Sequence, residues 1–81
     1  MTINTIFVEA RWDEEAFVWV ASSNSIEGLS VEAATLEHLK GKVEDAVADL
    51  IELNGIASSL SEIPVCIVSS QIGTVPNPQA A

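Results

Sequence analysis

Between Thr35 and Gly55 the apolar residues recur at three- and four-residue steps: Leu36, Leu39, Val43, Ala46, Val47, Leu50 and Leu53. That spacing lays one apolar stripe along about five turns of helix. Glu37, Lys40, Glu44, Asp45, Asp49 and Glu52 fall on the opposite side. Thr35 suits the N-cap, where its hydroxyl accepts from an early helical N–H, and Glu37 suits the positive end of the helix dipole. Asn54 and Gly55 supply a stop. Gly41, inside the run, costs about 1 kcal/mol relative to Ala, which a packed stripe outweighs. The spacing predicts one long helix over Thr35 to Leu53. In a chain of 81 residues, enough for one small domain, no other segment has this pattern. A single helix covers only one face of a sheet, so the strands decide what remains open.

Residues 3–12, INTIFVEARW, alternate with Ile6, Val8, Ala10 and Trp12 on one side and Phe7, Glu9 and Arg11 on the other. Asp13 to Glu15 form a polar turn, after which AFVWVASS returns as a second strand. The hairpin loop is ambiguous by one residue, and a one-residue slip exchanges the faces of every side chain that follows. Read as a strand from Ala16, the segment puts Phe17, Trp19 and Ala21 on one side and Val18 and Val20 on the other. NSIEGL turns at Gly28, and Leu29 to Ala33 form a short third strand. IPVCIVSSQ is apolar at nearly every position from Ile63 to Val68, as in an interior strand covered on both faces.

The expected fold is α+β: three strands in a meander, one long helix on one face, and a fourth strand parallel to the first after a right-handed crossover. Residues 1–72 form the domain and residues 73–81, rich in proline, a disordered tail. Phe17, Trp19, Cys66 and Val68 become interface candidates on the uncovered face, because contiguous apolar patches mark interaction sites. A homo-oligomer is the expected means of covering them, with Trp19 the leading anchor.

Charge narrows the choice of partner. Twelve acidic residues against Arg11, Lys40 and Lys42 give a formal net charge of −9. Phosphate backbones repel such a chain, whereas a basic protein suits it. Glu37, Glu44, Asp45 and Asp49 form the candidate acidic binding face. Cys66 is the single cysteine and His38 the single histidine, so neither an internal disulfide nor a zinc site is expected. No segment has the roughly 18 apolar residues of a membrane span. The start MTINTIFVEA lacks the basic region of a signal peptide, and a cytoplasmic protein without cofactors is expected.

The run from Val8 to Gly55 resembles the HicB-like antitoxin superfamily, in a small stand-alone branch. The resemblance rests on Trp12-Asp13-Glu14-Glu15-Ala16, Val18-Trp19-Val20-Ala21, Gly28-Leu29, Glu32-Ala33, Thr35-Leu36-Glu37 and Glu52-Leu53-Asn54-Gly55, with IPVCIVSS trailing. It implies a truncated ribonuclease-H-like fold, β-β-β-α-β, and the binding of a small basic HicA-like toxin that cleaves RNA. The DNA-binding segment of many HicB proteins is not expected after this short Pro-containing tail. The alternative is a self-assembling domain with another cytoplasmic role and no toxin partner.

Catalysis is not expected. A ribonuclease-H-like nuclease holds metal ions with carboxylates from its first strand, helix and fourth strand. Glu9 and Glu37 could serve in the first two places, but the last strand offers none. Asp13-Glu14-Glu15 reads as a solvated hairpin tip rather than a cation loop, lacking the spaced ligands of one. His38 reads as a surface side chain, Cys66 as unreactive packing, and Trp12 and Trp19 as packing or interface anchors rather than ligand-stacking rings.

Overall fold

A computed structural model describes residues 4–80. The strand start expected at Ile3 and the final Ala81 of the tail lie outside the described residues. The order is β1 (Ile6–Asp13), β2 (Val18–Ser22), β3 (Ser30–Ala33), α1 (Leu36–Asn54) and β4 (Val65–Ser70). The four strands form one mixed sheet in the order β3-β2-β1-β4. Pairing is antiparallel for β1–β2 and β2–β3 and parallel for β1–β4. The α+β class and the β-β-β-α-β order expected from the sequence are both present.

Helix α1 forms where the apolar stripe places it. Thr35 is the N-cap, its Oγ1 accepting from the His38 N–H at 3.1 Å. Gly55 ends the helix in the left-handed conformation at φ 63°. There the Ile56 N–H donates to the Ile51 carbonyl at 3.1 Å and the Gly55 N–H to the Glu52 carbonyl at 3.3 Å, a Schellman pair that satisfies two terminal carbonyls. Leu39, Val43 and Val47 are buried, with Ala46, Leu50 and Ile51 packed beside them. The buried stripe ends sooner than the spacing predicts. Leu53 is 80% exposed, because it stands about 80° around the helix from Val43. Ile51 takes its place against the core.

The opposing layer is one face of the sheet. Ile6, Val8 and Ala10 of β1 are buried, as are Ala21 of β2 and Ala33 of β3. Small alanines at the sheet centre let the helix approach closely. Ile26 and Leu29, from the connection between β2 and β3, are buried as well. That segment reads in the sequence as a turn, yet it closes one end of the core. Its serines also complete the pairing of β1 where β2 has ended: the Phe7 N–H donates to Ser25 Oγ at 3.1 Å, and Ser23 Oγ donates to the Phe7 carbonyl. Lys42 Nζ reaches the Glu32 carbonyl at 2.9 Å, tying α1 to β3. No described helix is long and apolar enough to cross a membrane.

Two expectations are corrected by the sheet order. β4 is not an interior strand, since it pairs only with β1 and stands at the edge. Val65 and Ile67 face the helix, while Cys66 and Val68 are exposed on the other face, so Cys66 is a surface thiol rather than a packed one. After β4 the chain runs on as an exposed arm, Gln71 to Ala80. Among the described residues its local hydrogen bonds lie in a turn at its far end, from the Gln79 N–H to Asn77 Oδ1 at 2.9 Å and from the Ala80 N–H to the Asn77 carbonyl at 3.2 Å. The molecule measures 57 × 24 × 18 Å, with a radius of gyration of 16.0 Å. A compact chain of this length has about 12 Å. The arm accounts for the difference.

Candidate protein-interaction surfaces

Three surfaces stand out, and the first is the sheet face that α1 leaves uncovered. The β1–β4 register sets Phe7 beside Cys66, Glu9 beside Val68 and Arg11 beside Ser70. Across β1–β2 and β2–β3, Arg11 stands beside Val20, and Val20 beside Glu32. Phe7 and Val68 are exposed large hydrophobics. The face is therefore divided. Its β4 side, with Phe7, Cys66 and Val68, is apolar, while its middle holds an ion pair between Arg11 Nε and Glu9 Oε1. Of the interface candidates, Cys66 and Val68 lie here.

Trp19 and Phe17 do not. The hairpin pairs Trp12 with Trp19 and Ala10 with Ala21, which puts Trp19 on the helix side, packed against the core. The turn comprises residues 14–17, and Phe17 is a turn residue at φ 54° rather than part of the strand. The left-handed conformation costs an L-residue roughly 1–2 kcal/mol. Here Asp13 holds the turn, its Oδ1 accepting from the Glu15 N–H at 3.0 Å and the Ala16 N–H at 3.2 Å. The acidic tip is thus partly a turn-forming device, as its composition suggests.

That register builds the second surface. Trp12 lies against Trp19, ring centroids 5.4 Å apart and planes at 60°, and edge-on to Phe17 at 6.4 Å and 69°. Both separations are in the range where aromatic pairs attract. Trp12, Trp19, Ala34, Thr35, Leu36 and Gln71 line a shallow, largely apolar cleft of about 390 Å³. The sequence suggests packing roles for both tryptophans but not their union. The four-residue turn places them opposite one another, where a three-residue turn would set them on opposite faces.

The third surface is the outer side of α1. Glu37, Glu44, Asp45 and Asp49 are all exposed there, as the periodicity requires. Lys40 Nζ meets Glu44 Oε2 at 3.1 Å, and Lys42 is turned to β3, leaving the acid in excess. Glu9 and Glu37 cannot meet: Glu9 is on the uncovered sheet face and Glu37 on the helix that covers the other. Among the described residues no group of three or more His, Cys, Asp or Glu is placed to hold a metal ion. His38 is exposed in the first helical turn.

These surfaces sit on a framework shared with other proteins. Residues 5–74 match the family model described as a domain of unknown function, DUF1902. The chain belongs to that family. A DUF1902 framework accordingly spans all four strands, the helix and the root of the arm. The chain is also similar to a hypothetical protein, TTHA1013, of the extremely thermophilic bacterium Thermus thermophilus, known from a crystal structure. Identity is 42%, the match covers 90% of this chain and 99% of that one, and the TM-score is 0.67. No curated protein matches the sequence.

Proposed function

We propose that this DUF1902 protein is a non-enzymatic interaction domain of the HicB-like antitoxin type, a truncated ribonuclease-H-like fold that binds and blocks a small basic RNA-cleaving toxin. The observation that carries the reading is how acid is distributed on α1. Asp45 and Asp49 are one turn apart, a like-charge spacing that destabilises a helix. Glu52 lies in the last turn, which has no basic residue, although the negative end of the helix dipole favours cations there. These placements cost stability, and neither ion pair among the described residues, Lys40–Glu44 or Arg11–Glu9, reaches Asp45, Asp49 or Glu52. An acidic face that weakens its own helix makes sense when a basic partner supplies the missing charge.

Inhibition of RNA cleavage is the test. The purified protein is titrated into any small basic RNA-cleaving protein found encoded beside it, and the triple variant Glu44→Lys, Asp45→Lys, Asp49→Lys is run in parallel. The wild type abolishes cleavage near equimolar amounts, and the variant needs at least ~10-fold more. Cleavage that continues under excess wild type, or the absence of any such neighbour, refutes the reading. A second reading, a domain whose role lies in self-assembly without a toxin, is favoured by the exposed Phe7, Cys66 and Val68 on the uncovered face and by the projecting arm.

A further inference from the structure

Beyond its root at Gln71 and Ile72, which border the hairpin, the described arm is exposed along its whole length. Ile72 is 91% exposed and Val75 84% exposed, yet ten residues, Gln71 to Ala80, carry no charge in a chain of net charge −9. Pro76 and Pro78 restrict Val75 and Asn77, which precede them, to extended or polyproline II backbone. Ile72 and Val75 are three residues apart, the repeat of polyproline II, so an arm that docks in that form carries both on one edge. Such a ridge fits an aromatic-lined groove. The chain has one: the cleft of Trp12, Trp19 and Leu36, which Gln71 at the arm's root also lines.

We infer that the arm of one copy lies in the Trp12–Trp19–Leu36 cleft of a second copy, by reciprocal exchange around the two arm roots. Each arm starts beside the cleft that receives its partner's arm, so a two-fold arrangement brings both clefts within reach of both arms. From Gln71 to Asn77 an extended arm spans roughly 20 Å, enough to cross between neighbouring domains. Charge favours a second copy over a basic partner as the occupant. A basic protein is drawn to the carboxylates of α1 and the hairpin tip, not to a neutral arm. For two chains of equal negative charge, a neutral segment is the part that joins them with least repulsion. The inference goes beyond the antitoxin reading and does not rest on it, since no toxin enters the test.

Trp12 and Trp19 are the only tryptophans, and both line the cleft, so emission reports on it directly. Sedimentation velocity and tryptophan emission are recorded on the full chain from 0.1 to 100 µM, for wild type, for Ile72→Asp/Val75→Asp and for Leu36→Glu. The wild type dimerises, and its emission moves to shorter wavelength in step with the dimer fraction. The arm variant alters only exposed arm residues and so keeps the wild-type circular dichroism. Its dissociation constant rises at least ~100-fold, from two apolar side chains lost at each of two sites. Leu36→Glu, at a 38% exposed position, weakens the dimer while the arm stays intact. A wild type monomeric at 100 µM overturns the inference. So does an arm variant that dimerises as tightly as wild type, or emission that does not follow association.

Discussion

At the residue scale, burial separates side chains that the periodic pattern treats as equals. Leu39 is fully buried and Leu53 is 80% exposed, though both belong to the same stripe by spacing. Leu39→Ala leaves a cavity under the sheet and is expected to cost roughly 2–5 kcal/mol, whereas Leu53→Ala stays within about 0.5 kcal/mol. Urea denaturation midpoints at constant slope check both. Equal losses would mean that the helix is rotated from the orientation described. Gly41 gives the opposite sign. A Cβ added there meets nothing within 4 Å, and Gly in a helix interior is about 1 kcal/mol worse than Ala. Gly41→Ala therefore raises the stability by about that amount, and the midpoint with it. Gly28 does not tolerate the same change, because its φ of +93° and the Leu50 Cδ2 atom 3.3 Å from a built Cβ both oppose a side chain.

At the element scale, the helix and its ends are legible from sequence because their determinants are local. A hydroxyl at Thr35, a stripe of period 3.6 and a glycine at Gly55 each act within one turn. Thr35→Ala removes the acceptor of the His38 N–H and is expected to lower stability by about 1 kcal/mol. Thr35→Ser largely restores it. If Thr35→Ala is silent in thermal unfolding, the cap contributes nothing to the folded state. The strands are legible in number and order but less so in orientation. The alternation from Ala16 puts Trp19 on the wrong face because the hairpin loop has four residues ending in a left-handed Phe17, a conformation that bulky aromatics rarely adopt. β4 reads as an interior strand from its composition. Its edge position follows from the sheet order, a non-local fact that apolar content alone does not encode. Of the surfaces, the acidic face of α1 is legible residue by residue. The aromatic cleft, which needs the hairpin register, is not.

At the scale of the whole molecule, charge is the largest force that nothing in the chain offsets. A net charge of −9 spread over an 8.6 kDa protein opposes compaction. The two ion pairs among the described residues, Arg11–Glu9 and Lys40–Glu44, have exposed side chains, and exposed pairs contribute at most about 1 kcal/mol each. Repulsion should therefore outweigh attraction, and salt should relieve it. Raising ionic strength from about 0.01 to about 0.15 M shortens the screening length from about 30 to about 8 Å. The expected result is a melting temperature several degrees higher at the upper ionic strength, where a domain held by ion pairs would show a fall. Asp49→Lys sharpens the test. It replaces the like-charge spacing with Asp45 by an acid–base pair at the same i,i+4 spacing, so it should stabilise the domain at low salt by about 0.5–1 kcal/mol. That gain should shrink as salt is added. If the acidic face serves a basic partner, the same substitution weakens toxin inhibition while strengthening the fold, the trade expected where function holds a surface away from its most stable composition. A variant that is no more stable than wild type at low salt would show that the helix tolerates its acid at no cost, and would remove the observation on which the antitoxin reading stands.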